Sequence, residues 1–98
     1  MIVMRIEFLV TEEPTPFDGQ YLVEYDPARE GTDPCGEPLL CHLVTTHDVT
    51  QARKFPTVTE AVDFWNRSHG LRPDGQPNRP LTAFHVSVMD EDVARRET

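Results

Sequence analysis

Apolar and polar positions alternate along residues 2–10. Ile2, Met4, Ile6, Phe8 and Val10 fall on one side; Val3, Arg5, Glu7 and Leu9 fall on the other. A period of two belongs to a half-buried β-strand. TEEPTPFDG ends the run, and alternation resumes over QYLVEYD at 20–26, with Tyr21, Val23 and Tyr25 against Gln20, Leu22 and Glu24. A long loop follows, DPAREGTDPCGEP, in which Pro27, Pro34 and Pro38 exclude regular structure. LLCHLVTT at 39–46 reads as a third strand with a more continuously apolar middle.

The period then changes. FPTVTEAVDFWNRSHG holds Thr57 and Glu60 at capping-box spacing. At roughly 100° per residue, Val58, Ala61, Val62, Phe64 and Trp65 share one side of a helix. Thr59, Glu60, Asp63, Asn66 and Arg67 share the other, with Asp63 and Arg67 as an i,i+4 pair. Gly70 stands where a left-handed C-terminal cap belongs, with Leu71 as its apolar contact. LRPDGQPNRP reads as a rigid polar loop, and LTAFHVSVM at 81–89 as a last strand.

The element order is β-β-β-α-β, an α+β domain over 1–90 with a flexible tail at 91–98. The expected architecture is a four-stranded mixed sheet with one helix packed on one face. The helix returns the chain so that the fourth strand runs parallel to the first, through a right-handed crossover. The order 4-1-2-3 is preferred, with 1-2-3-4 as the alternative. The expected core is Ile6, Phe8, Val23, Leu43, Val62, Trp65, Phe84 and Val86.

Composition narrows the functions. Ninety-eight residues make one domain, and 38% hydrophobic with 27% charged is globular rather than disordered. No apolar run approaches the ~20 residues that span a bilayer, and Arg5 and Glu7 interrupt the N-terminal stretch, so a cytoplasmic protein is expected. Seventeen acids against nine bases give a net charge of −8, with no basic cluster. Direct nucleic-acid binding is therefore not expected, because it needs clustered Lys and Arg. A basic partner surface fits the charge. Eight of the nine bases are Arg, a bias that suits a GC-rich bacterial or phage genome.

Candidate chemistry is sparse. Cys35, Cys41, His42 and His47 cluster within thirteen residues. A structural zinc site takes two close pairs such as C-x₂₋₄-C, whereas Cys41 and His42 point to opposite faces of a strand. No C-x-x-C redox motif is present. The expectation is an apolar Cys41, an exposed Cys35, no metal and no cofactor. Walker, G-x-G-x-x-G, G-x-S-x-G and H-E-x-x-H motifs are absent. No catalytic residue is assigned, and a non-enzymatic role is preferred. Trp65 reads as core, His69 as a helix-end residue, and the loop at 71–80 as a rigid connection, with Arg72 and Arg79 as its contacts if it serves recognition instead.

The sheet face away from the helix is the candidate surface. Alternation places Val3, Arg5, Glu7, Leu9, Leu22, Glu24, Leu40, His42, Val44, His85, Ser87 and Met89 there. The aliphatic members would be a large apolar exposure for a monomer. That suggests an interface, either between copies in a homodimer or with a host or structural protein. An acidic, phage-type inhibitor of a nucleic-acid-binding groove is a sub-case. The alternatives are a ligand-binding domain or enzyme that uses His42 and His85 with Glu7 or Glu24, and a metal protein that uses Cys35, Cys41 and His47.

TTHDVTQARKFPTVTEAVDFW resembles a pattern in small uncharacterised bacterial and phage proteins, carried by Thr46, Asp48, Ala52, Phe55, Thr57, Glu60 and Ala61. The resemblance covers about a fifth of the chain. It implies a compact α+β domain of phage or prophage type and brings no catalytic or binding residue with it.

Overall fold

A computed structural model describes residues 1–33, 35–39 and 41–97. Leu40, one of the candidate interface residues, lies outside them, as does Pro34 of the loop. Strands β1 (Ile2–Leu9), β2 (Tyr21–Asp26), β5 (His42–Thr46) and β6 (Phe84–Asp90) form one sheet in the order β5-β2-β1-β6. A small hairpin of β3 (Gly31–Thr32) and β4 (Pro38–Leu39) interrupts the long loop. Helix α1 spans Val58–Trp65 and helix α2 spans Glu91–Glu97.

The sheet is antiparallel throughout, which corrects the mixed sheet expected above. The reason lies before the helix. β1 and β2 pair only around Arg5 and Tyr21 and then part. Residues 53–55 enter the gap: Arg53 N–H donates to Leu22 O, and Ile2 and Phe55 exchange both backbone bonds, all at 2.8 Å. The connection from β5 therefore carries the chain down to the Ile2 end of the sheet. Helix α1 carries it back up, and Trp65 Nε1 donates to Phe84 O, 3.3 Å away at the start of β6. β6 can then only descend beside β1, with Leu9 opposite Phe84 and Ile2 opposite Asp90.

Local chemistry sets these boundaries. Asp48 Oδ1 accepts from Thr50 N (3.0 Å) and Thr50 Oγ1 (2.7 Å), opening a 3₁₀ turn at Val49–Gln51. Those bonds hold the Asp48 carboxyl below its ordinary range. Thr57 Oγ1 accepts from Glu60 N at 3.2 Å, so the capping spacing begins α1 where it should. The helix ends at Trp65 with Asn66 as its cap. Gly70 does adopt φ +67°, yet it serves the following loop and not the helix end.

Each face of the sheet has its own core. Met4, Ile6, Leu22, Tyr25 and Leu43 pack with Phe17, Phe55, Ala61, Phe64 and Leu81 on the α1 side. Val3, Tyr21, Val49, Ala52 and Ala94 pack on the other, with Met89 against them. The C-terminal segment, expected as a flexible tail, is thus a helix with Ala94 fully buried. Its first turn carries Glu91 and Asp92 and its last turn Arg95 and Arg96, which suits the helix dipole. Lys54, the single lysine, donates to Val49 O (2.7 Å) and Ala52 O (2.9 Å) and lies 3.8 Å from Glu91, tying the inserted segment to α2.

Of the expected core, Ile6 and Leu43 are buried, and Val23, Trp65, Phe84 and Val86 are half-buried. Phe8 and Val62 are exposed instead. A register shift between Ile6 and Phe8 turns Phe8 out of the alternation.

Candidate functional site

The expected apolar face is largely closed by the chain itself. Val3 and Leu22 are both fully buried and have no surface to offer. Val3 lies under Ala94 and Val49. Leu22 turns to the α1 side, because a register shift between Leu22 and Glu24 breaks the strand's alternation. Leu9, Val44 and Met89 are half-buried.

The ionisable row on that face resolves into local pairings. Glu7 Oε1 accepts from Arg5 Nε (2.8 Å) and from Ser87 Oγ (2.9 Å). His42 Nε2 lies 3.2 Å from Glu24 Oε2. His85 rests against the Phe8 ring at 4.7 Å. His42 and His85 stand on opposite edge strands, three strand spacings apart, or about 14 Å. That is far beyond shared hydrogen-bond reach, so the two histidines do not converge.

Among the described residues, no group of three or more His, Cys, Asp or Glu side chains converges to hold a metal ion. Cys35 is exposed and Cys41 half-buried, both as free thiols, and burial pushes the Cys41 thiol up. Residues 69–78 fold into a tight hairpin, with His69 N donating to Asn78 O (2.7 Å) and Arg72 N to Gln76 O (2.8 Å). No helix among the described residues is long and apolar enough to cross a membrane.

Comparison with protein-family models, with curated proteins and with solved structures returns no match. The geometry alone must therefore indicate the site.

It draws attention to the β6 edge. Among the described residues β6 ends the sheet and has a strand neighbour on one side only. Its backbone directions follow from the bonds at its two ends, where Val10 N donates to Ala83 O and Glu91 N donates to Met1 O, both at 2.8 Å. By antiparallel alternation, His85, Ser87 and Met89 then point their backbone groups at β1, while Phe84, Val86, Val88 and Asp90 point theirs outward. The Trp65 bond to the outward Phe84 carbonyl agrees with this. Across Phe84–Met89 the strand has no Pro, Lys, Arg, Asp or Glu.

Helix α1 overhangs the same edge. Ala61, fully buried, marks the centre of its contact. At roughly 100° per residue, Phe64 falls on one flank and Trp65, Val58 and Val62 on the other. Phe64 packs on Phe55 and Tyr25 towards β2, whereas Trp65 reaches Phe84 on β6. Val58 and Val62 therefore lie on the β6 side, at 50% and 36% exposure. Beyond them the flank continues with Asn66 and Thr59, both uncharged, while Glu60 and Asp63 sit towards Phe64. Under the sheet, Val93 of α2 is exposed as well.

Sequence reasoning counted Val58 and Val62 in the apolar arc of the helix and assigned Val62 to the core. The signal it lacked was the width of that arc, which exceeds what one sheet face covers.

Proposed function

We propose that this is a non-enzymatic interaction protein that assembles with a second copy of itself at the β6 edge. A two-fold axis normal to the sheet at Ser87 sets Val86 of each copy opposite Val88 of the other, exchanging N–H···O bonds. The two four-stranded sheets become one of eight strands. Both α1 helices then lie on the same face, and their Val58–Val62 flanks meet.

The observation that carries this reading is the absence of charge from an open strand edge in a chain of net charge −8. Soluble proteins guard open edges with Lys, Pro, bulges or inward charges. An edge made to attract a basic partner would carry carboxylates, and this one carries its only acid at its far end, Asp90. An uncharged surface lets two acidic copies approach without like-charge repulsion.

Light scattering coupled to size exclusion tests the proposal. At about 100 μM, well above a micromolar Kd, the wild type should elute at twice the 11.2 kDa chain mass. Val62→Glu and Val88→Pro should each weaken association more than 100-fold, about 2.7 kcal/mol, and give monomers. Proline at an outward N–H removes no bond to β1, so the fold should survive it. Val44→Glu, on the opposite edge strand, should remain dimeric. A monomeric wild type, or dimeric Val62→Glu and Val88→Pro variants, would overturn the proposal.

A further inference from the structure

The geometry points to a second, separate site, a carboxylate-binding hollow on the Phe64 flank of α1. Arg53, Lys54, Phe55, Pro56, Glu60, Asp63, Phe64 and Arg67 line a cavity of about 480 Å³ there. That volume falls in the range of small-molecule sites. Arg53 also lines a second hollow of about 280 Å³ with Glu24, Tyr25, Asp26, Arg29 and His42.

Two guanidinium groups converge on one ring. The Arg53 and Arg67 Cζ atoms lie 4.6 and 4.7 Å from the centre of Phe64. Phe64 is buried and cannot move away. The chain holds almost two acids for every base, yet among the described residues neither Arg53 nor Arg67 has a carboxylate within ion-pair distance. Lys54 differs, since two backbone carbonyls and Glu91 occupy its ammonium group.

The face of the Phe64 ring attracts both cations. A bound anion would offset the repulsion between them. Guanidinium presents a planar fork that matches a carboxylate. The nearby Glu60 and Asp63 disfavour a doubly charged group, so a monoanion is selected. Phe55, Pro56 and Phe64 provide an apolar wall for the rest of the ligand. The site therefore takes a small molecule with one carboxylate on a flat apolar body.

Benzoate is the probe, followed by NMR at the arginine Nε–H groups of the ¹⁵N-labelled protein. The Arg53 and Arg67 signals should shift together and saturate, with a Kd on the order of 1 mM as for other fragment-sized ligands. Acetate and inorganic phosphate should each bind at least tenfold more weakly. Arg53→Lys keeps the charge and loses the fork, so it should weaken benzoate at least tenfold. Arg72→Gln, in the 69–78 hairpin, should leave benzoate unchanged. Val62→Glu should also leave it unchanged, because this hollow lies on the opposite flank of α1 from the β6 edge. Shifts that never saturate, equal losses in Arg72→Gln and Arg53→Lys, or phosphate binding tighter than benzoate would overturn the assignment.

Discussion

The two edges of the sheet are built differently. At the β5 edge the strand is short, five residues, and polar at His42, Thr45 and Thr46. Its neighbour carries the irregularity between Leu22 and Glu24. The small hairpin presses against its beginning so closely that a Cβ on Gly31 would stand 2.9 Å from Cys41 O. At the β6 edge the strand is longer and uncharged until Asp90, although its neighbour too carries an irregularity, between Ile6 and Phe8. A helix with exposed valines overhangs it. Beyond a bulge in the neighbouring strand, which both edges share, the β5 edge is blunted by its shortness, its polar residues and the hairpin against it, and the β6 edge by none of these among the described residues. That difference between the edges is what self-association at β6, as proposed, requires.

The largest effect that separates the edges is in stability. Leu22→Ala, at a fully buried site on β2 beside β5, should cost about 2–5 kcal/mol in urea unfolding. Val62→Ala should change monomer stability by less than about 1 kcal/mol, as surface changes do, while weakening self-association. Equal losses would erase the difference between covered and uncovered apolar groups.

Gly31→Ala should cost about 1–3 kcal/mol, because the added methyl meets backbone that cannot rotate away. Urea unfolding with unchanged association would place that close approach at the β5 edge alone. Trp65→Phe should cost about 1 kcal/mol by losing the bond to Phe84 O. It also frees an outward carbonyl of β6, so the dimer should not weaken.

The smallest effect concerns Tyr25, whose hydroxyl is buried and has no hydrogen-bond partner among the described residues. Burial pushes it up from 10.0 to about 12. The folded chain keeps this proton while the unfolded chain releases it. Stability is therefore intact below pH 10 and declines as pH rises from about 10 to about 12. Tyr25→Phe should be neutral or slightly stabilising at pH 7 and should flatten that alkaline decline in melting temperature.

Much of the fold could be read from residue order. Alternation marked β1, β2, β5 and β6, and Thr57 with Glu60 marked the start of α1, because these patterns are local. The inserted segment at 53–55 was not legible. It depends on β1 and β2 parting, and no local pattern of Ala52 to Phe55 encodes a pairing with Ile2. That one feature reversed β6 relative to β1. The C-terminal helix was missed because DEDVARR reads as polar, and only Ala94 buries fully. A small residue gives a weak apolar signal yet permits close packing. The same helix covers Val3, so the apolar face expected from alternation has its cover within the chain. At the proposed site, the β6 edge follows from strand order, whereas the valine overhang follows from how far α1 reaches across the sheet.

Amide hydrogen exchange at β6 tests the central claim most directly. Ser87 and Met89 direct their N–H groups at β1 and should be protected at every protein concentration. Val86 and Val88 direct theirs outward, where only an added strand can protect them. The account predicts that their protection rises with protein concentration and disappears in Val62→Glu. Exchange of Val86 and Val88 at the rate of an open strand, at all concentrations, would contradict it.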